Sequence, residues 1–129
     1  MFGIHRYEKL ITELINSNMY FSIDWNKKLN AKTLLLRHDV DFSVPHAYCI
    51  AKLEKKLGIN STFFFMLSTN MYNIFSSSNQ KLICDIKNMG HKISLHYDPS
   101  IHSSLLSFRK EKETFERIFE IKIDIVSIH

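Results

Sequence analysis

Strand-like and helix-like segments alternate along most of this chain, and no other feature of the sequence constrains the fold as strongly. Short apolar runs rich in β-branched and aromatic residues occupy positions 33–36, 61–67, 91–96 and 121–128. Between them, apolar residues recur every three or four positions, as they do on one face of a helix. Strands that alternate with helices form a mostly parallel sheet with right-handed crossovers. The predicted order is therefore one helix followed by β-α-β-α-β-α-β.

Residue types that begin and end helices support this division. Apolar residues at helical spacing over 4–17 predict an N-terminal helix within a segment 1–32, whose remainder is a polar connection. Ser43 with Pro45 predicts the start of the next helix, and a glycine at its end predicts the cap. A third helix is predicted over 79–89. The fourth is predicted to start at Ser103 or Ser104 and to bury one face, made of Leu105, Phe108, Phe115 and Phe119.

Length and composition limit the classes of protein to which the chain can belong. Its 129 residues suit one domain, which we assign to 1–129, and 45% hydrophobic with 23% charged residues is typical of a globular protein. The apolar runs are far shorter than the roughly 20 residues of a membrane span. Charged residues near the N-terminus interrupt any secretory signal. We therefore expect a cytoplasmic protein that has no membrane partner.

The charges and the cysteines also bear on the expected partners and on the compartment. The net charge is +4, but the lysines are scattered and there is no arginine-rich tract, so we expect no nucleic-acid partner. Cys49 and Cys84 each lie within an apolar helical pattern. The pattern predicts small buried side chains in a reducing compartment rather than a disulfide.

Polar residues follow the predicted strands at the edge where parallel α/β folds bind ligands. Aspartate and histidine together suit zinc or another first-row metal. Of two acids separated by one residue, one can hold a metal while the other acts as a base. An aspartate after a strand can instead cap the next helix, and Asp41 is close enough to Ser43 to do so. The polar strand ends are His38-Asp39-Val40-Asp41, Ser68-Thr69-Asn70, His96-Tyr97-Asp98 with His102 shortly after, and Ser127-Ile128-His129.

Three motifs occur in order and carry a resemblance to a known family. They are Leu35-Leu-Arg-His-Asp-Val-Asp41, Gly58-Ile-Asn-Ser-Thr-Phe-Phe-Phe65 and Gly90-His-Lys-Ile-Ser-Leu-His96. Together they resemble the polysaccharide deacetylase family (NodB-homology carbohydrate esterases), in the branch with an RHDVD-type first motif. The resemblance covers residues 33–129. It implies a partial (β/α) barrel of about four parallel strands with crossover helices. It also implies a metal-dependent hydrolase that removes an acetyl group from a sugar or a related amide, by cleaving a non-peptide carbon–nitrogen bond.

The resemblance assigns roles to individual residues. Asp39 matches the catalytic base, Asp41 the metal-binding acid and His96 the first metal-binding histidine, with zinc as the expected divalent ion. The family's second histidine would stand at position 100, where this chain has Ser100. His102 is our choice for the third ligand and Asp98 is the alternative. A further alternative is that Asp98 only caps the turn while the imidazole of His102 is solvated.

The resemblance also predicts an incomplete domain. A complete barrel needs about 200 residues or more, and the last predicted strand resembles the one that leads into the family's later motifs. We therefore expect an open sheet edge, which is a site for pairing. A fragment of a longer enzyme and a homo-oligomer joined through that edge both remain open. The alternative function is a non-catalytic remnant that retains a partial metal or glycan site.

Overall fold

A computed structural model describes residues 2–129, and for Phe2 it describes the backbone alone. Within this range the chain forms four helices and six strands. None of those helices has both the length and the apolar content to cross a membrane. The helices are α1 (Phe2–Asn16), α2 (Val44–Leu57), α3 (Ser77–Asn88) and α4 (Leu105–Phe119). The strands are β1 (Tyr20–Phe21), β2 (Thr33–Leu34), β3 (Arg37–Val40), β4 (Thr62–Phe65), β5 (Lys92–Tyr97) and β6 (Val126–Ile128).

The main sheet has four parallel strands in the sequential order β3-β4-β5-β6. Helices α2, α3 and α4 connect successive strands. Because each strand lies next to the one before it and all the crossovers have the same handedness, the helices lie on one side of the sheet. The sheet curls into a half-barrel. The α/β class and the partial barrel of four parallel strands that we predicted are confirmed.

The first strand lies further along the chain than predicted. Residues Thr33–Leu34 form β2, which pairs with β1 in a separate two-stranded parallel sheet. Residues 33–34 of the predicted strand 33–36 pair with β1. The first residue that pairs with β4 is Arg37, after the Leu36 carbonyl has accepted a hydrogen bond from the backbone N–H of Thr62. Asp39 is therefore inside β3, and Asp41 follows the strand directly. The N-terminal segment 1–32 likewise contains strand β1 as well as its predicted helix.

The predicted helix boundaries are close to those observed. Ser43 caps α2 by accepting a hydrogen bond from the backbone N–H of His46, and Gly58 ends the helix with φ of 78°. Helix α3 begins two residues before the predicted start, and Ser104 rather than Ser103 caps α4. The last strand is shorter than predicted, because only Val126–Ile128 of the run 121–128 pairs with β5.

Two burial predictions are wrong. Leu105 is 64% exposed, because it is the first residue of α4 and lies one turn before the residues that pack against the sheet. Cys49 is exposed because the buried face of α2 contains Ala47 and Ala51, and a residue two positions from each lies on the opposite side of the helix. Both Cys49 and Cys84 are free thiols, in agreement with the prediction of no disulfide.

Candidate metal centre

The polar residues singled out from the sequence share one face of the half-barrel. Phe63 of β4 packs with helix residues in the core, and successive side chains on a strand alternate between faces. Phe64 therefore lies on the face turned away from the helices, and the strand register places Asp39 beside it. Asp39 and Phe64 align with Ser94 of β5. Asp41, which follows β3, and His96 of β5 are two residues further along their strands and lie on the same face. Sheet geometry thus brings Asp41 and His96 together.

Asp41, His96 and a third residue, His129, form a group whose donor atoms converge. Nε2 of His96 is 3.2 Å from Oδ1 of Asp41, and Nδ1 of His129 is 3.4 Å from the same oxygen. The two histidine nitrogens are 3.1 Å apart. His129 is held beside β5 because its backbone N–H donates to the carbonyl of Tyr97. Three ligand-type atoms therefore form a triangle at the carboxyl end of the sheet.

The size of this triangle fits a bound metal ion. Zinc binds imidazole nitrogen and carboxylate oxygen at about 2.0–2.2 Å, so tetrahedral ligand atoms are separated by about 3.3–3.5 Å. The observed sides of 3.1, 3.2 and 3.4 Å are close to that separation. Three protein ligands leave a fourth position for water or substrate, as in catalytic zinc sites. Asp41, His96 and His129 are therefore able to hold a divalent ion.

Ser127 fixes the orientation of the His96 ring. Nδ1 of His96 lies 2.6 Å from Oγ of Ser127 and 3.3 Å from its carbonyl oxygen. A carbonyl oxygen only accepts hydrogen bonds, so a proton on Nδ1 satisfies this contact and leaves the lone pair of Nε2 directed at Asp41 and His129. Metal-binding histidines commonly donate their other N–H to an oxygen in this way. Both His96 and Ser127 are buried, which keeps the arrangement rigid.

The Asp41 carboxylate lacks the partners that a purely structural aspartate would have. Its Oδ1 is buried and, among residues 2–129, has no hydrogen-bond partner, although two imidazole nitrogens lie within 3.4 Å. Ser43 caps α2, so the capping role considered for Asp41 is filled. The hydroxyl of Tyr72 donates to the carbonyl of Val40 and accepts from the backbone N–H of Met66. This phenol therefore fixes the backbone directly before Asp41.

Asp39, the predicted base, lies on the same face but has a different environment. Its Oδ2 is 2.5 Å from Nη2 of Arg37 in a partly exposed ion pair. The Arg37 guanidinium also lies 5.5 Å from the centre of the Phe64 ring. Two residues along a strand span about 6.6 Å, so Asp39 lies roughly that far from Asp41 toward the other end of β3. The ion pair orients Asp39 and leaves it outside the group of three donors.

The two residues proposed as third ligand from the sequence are not members of the donor group. The Asp98 carboxylate accepts hydrogen bonds from the hydroxyl and the backbone N–H of Ser100, and these bonds hold the pKa of Asp98 below its usual range. His102 is exposed, and its carbonyl accepts a hydrogen bond from Tyr97. This arrangement matches the alternative in which Asp98 caps the turn and the His102 imidazole is solvated. His129 provides the third donor instead.

A second group of polar residues, around Glu54, was not anticipated from the sequence. Glu54 of α2 is fully buried. One carboxylate oxygen contacts Nε2 of His38 at 2.5 Å and the hydroxyl of Tyr7, and the other accepts from the hydroxyl of Ser61 at 2.5 Å. Glu54 thus connects α1, β3 and the start of β4 through α2. Its position three residues after Ala51 on the buried stripe of α2 is the signal that would have found it.

His91 completes this group as a neutral ring. Its Nδ1 accepts from the backbone N–H of Ser61, so its Nε2 carries the proton and donates to the carbonyl of Ala51. Burial lowers the pKa of His91. Burial raises the pKa of Glu54, but hydrogen bonds and the charge of His38 outweigh it, so that the pKa lies below its usual value. The network therefore centres on a buried carboxylate anion.

Comparison of the chain with protein-family models, curated proteins and solved structures finds no match. The likeness to polysaccharide deacetylases accordingly rests on the three sequence motifs. The donor group rests on geometry.

Proposed function

We propose that this protein is a metal-dependent hydrolase of the polysaccharide deacetylase type, which removes an acetyl group from a sugar or a related amide. The observation that carries the proposal is the triangle formed by Asp41, His96 and His129, with sides of 3.1, 3.2 and 3.4 Å. Two nitrogens and one oxygen favour zinc as the divalent ion. The cytoplasmic location expected from the sequence stays a prediction.

The positions of the sequence motifs support this assignment. The RHDVD-type motif forms β3 and ends at Asp41, the Thr-Phe-Phe-Phe motif forms β4, and the third motif ends at His96 in β5. The three strands are adjacent and parallel, so the motifs meet at one end of the sheet. A ligand site at the carboxyl end of parallel strands is the usual arrangement in barrels of this kind.

The residues of the chain can divide the chemistry between them. A divalent ion at the centre supplies Lewis acidity, which acidifies water and polarises an acyl carbonyl. Asp41 and His96 act as ligands from rigid positions, and Ser127 keeps the His96 ring oriented. We propose that Oδ1 of Asp39 accepts the proton that the water gives up in the reaction, because Oδ2 is held by Arg37. A base acts directly or through one water, and the separation of Asp39 from Asp41 suits the second route.

The second candidate function is a non-catalytic remnant, and one observation favours it. His129 is 48% exposed, whereas the other histidine of the group is 2% exposed. A proton on either of the facing nitrogens would turn the His96–His129 contact into an ordinary hydrogen bond. The three side chains would then form a polar contact that needs no metal.

Zinc titration of the full chain distinguishes these functions. We expect Asp41→Ala, His96→Ala and His129→Ala each to lower zinc affinity by more than the roughly 10–100-fold that is typical of outer-shell changes. His102→Ala and Asp98→Ala are matched controls, and they should bind zinc as the wild type does. Asp39→Asn should also retain zinc but lose zinc-dependent release of acetate from an N-acetylglucosamine oligomer.

Each alternative outcome has a defined meaning. If wild-type protein binds zinc but releases no acetate, the chain is a metal-binding remnant with respect to that substrate. If Asp41→Ala and His129→Ala bind zinc as tightly as the wild type, the centre described here is wrong. A loss of zinc affinity in His102→Ala would support His102 as the third ligand, as the sequence predicts.

A further inference from the structure

Three exposed apolar side chains gather around one cavity beside the proposed metal centre. They are Phe42, Met71 and Ile101, which are 69%, 55% and 47% exposed. They come from the loops that follow β3, β4 and β5, and they line a cavity of about 250 Å³ together with the buried Met66. Exposed apolar side chains that converge on a concave surface commonly mark a binding site.

The cavity is continuous with the donor group. Asp41 and His129 line it as well as contributing two of the three donor atoms. A ligand whose polar head lies at the centre can therefore extend its adjoining carbon atoms into the cavity. In a hydrolase that acts on acyl groups, the carbon atoms joined to the carbonyl carbon form the acyl chain, and the nitrogen or oxygen on its other side belongs to the leaving group.

The polar residues of the lining are largely engaged with their own loops. The Thr69 hydroxyl accepts from the backbone N–H of Met71, and the Asp98 carboxylate accepts from Ser100. Asn70 is a third polar residue of the lining, and it is exposed to solvent. Burial by a ligand is therefore favourable mainly for the exposed apolar side chains. An occupant made of methylene groups therefore suits the cavity better than one that carries many hydroxyls.

We propose that this cavity is an acyl pocket that accepts straight chains longer than acetyl. The inference rests on the proposed metal-dependent hydrolase function and concerns the acyl part of its substrate. A cavity of about 150 Å³ lined by apolar side chains is large enough for benzene, so 250 Å³ exceeds what one methyl group fills. Met66 and Met71 are unbranched and flexible, which lets them adapt to chains of different length.

A series of hydroxamates tests the pocket without requiring turnover. Acetohydroxamate, butyrohydroxamate and hexanohydroxamate share one metal-binding head and differ only in chain length. Their dissociation constants for the zinc-loaded full chain are measured by calorimetry. Each buried methylene contributes about 0.8 kcal/mol, or roughly fourfold in affinity. We therefore expect butyrohydroxamate to bind about 15-fold more tightly than acetohydroxamate.

A pair of surface variants assigns the effect to this cavity. Met71→Ser removes one apolar wall, and Phe75→Ser removes a side chain of similar exposure that does not line the cavity. We expect Met71→Ser to reduce the butyrohydroxamate preference to about fivefold or less, with acetohydroxamate affinity unchanged. Phe75→Ser should keep the full preference.

The outcomes separate this inference from the proposed function. Zinc-dependent binding that is equally tight for all three chains would refute the acyl pocket and leave the metal centre intact. Failure of every hydroxamate to bind in a zinc-dependent manner would refute the metal centre, and the pocket with it. An undiminished chain-length preference in Met71→Ser protein would locate the chain elsewhere and also refute the pocket.

Discussion

Replacing Glu54 by glutamine removes the charge at the centre of the buried network while nearly preserving its shape. The carboxylate contacts His38, Ser61 and Tyr7, and no part of its side chain is exposed. Breaking a buried charge pair by removing one partner costs about 3–5 kcal/mol. Because domains are stable by only about 5–15 kcal/mol, we expect Glu54→Gln to lose roughly a fifth or more of the free energy of unfolding.

Two further variants calibrate this loss. Tyr7→Phe removes one hydrogen bond to the charged group and leaves the other partners in place, so it should cost about 1.5–3 kcal/mol. Glu113→Gln changes an exposed residue of α4 in the same chemical way, and its effect should be within about 0.5 kcal/mol. Urea unfolding can be followed by the fluorescence of Trp25, because this side chain packs against Phe64 and donates a hydrogen bond to Thr62.

The pH dependence gives the prediction a sign. The pKa of Glu54 lies below its usual 4.5 in the folded protein, so above pH 4.5 the carboxylate contributes its full stability. As pH falls below 4.5, the unfolded chain takes up the proton first, and the contribution is lost. The difference in stability between the wild type and Glu54→Gln should therefore shrink as the pH falls below 4.5.

The reasoning would be refuted by a small and pH-independent effect. If Glu54→Gln lost less than about 1 kcal/mol, comparable to a neutral hydrogen bond, the network would not depend on the charge. A difference that grew below pH 4.5 would mean that Glu54 takes up its proton more readily in the folded protein than in the unfolded chain, which is the opposite sign.

Three other predictions concern single residues. Ser127→Ala should lower zinc affinity by about 10–100-fold in a zinc titration, because the serine orients the His96 ring and is not one of the three proposed ligands. Burial lowers the pKa of His91, so wild-type stability should fall as pH drops below 6.5; His91→Gln should lack that part of the slope in urea unfolding at pH 7 and 5.5. Gly90 has φ of +101°, and an added Cβ would lie 3.2 Å from Asn60, so Gly90→Ala should cost about 1–3 kcal/mol in thermal unfolding.

The order of elements could be predicted from the sequence because helix and strand periods alternate and few glycines or prolines interrupt them. The exact start of the main sheet could not. Residues 33–36 and 37–40 are both able to form a strand, and the pairing of β2 with β1 decides between them. Such a choice depends on a contact between distant segments. The same holds for Glu54, whose burial depends on partners from three other elements.

Two members of the donor group, Asp41 and His96, could be predicted from their motifs, whereas His129 was recognised only as a polar residue at a strand end. The place of His129 in the donor group depends on the register of β6, in which His96 pairs with Ser127. A shift of one residue would turn His129 to the opposite face. The sequence does not specify that register, because the run 121–128 offers several alignments of similar hydrophobicity.

The donors of the proposed centre come from both outer strands of the main sheet, since Asp41 follows β3 and His129 follows β6. An ion bound there would join the two edges of the half-barrel through His96 between them, and would hold the three-residue strand β6 in its register. Because such an ion binds the folded chain only, stability would depend on metal concentration, with a gain of about 2.7 kcal/mol at a hundredfold excess over the dissociation constant. The melting temperature would then rise with the concentration of free zinc.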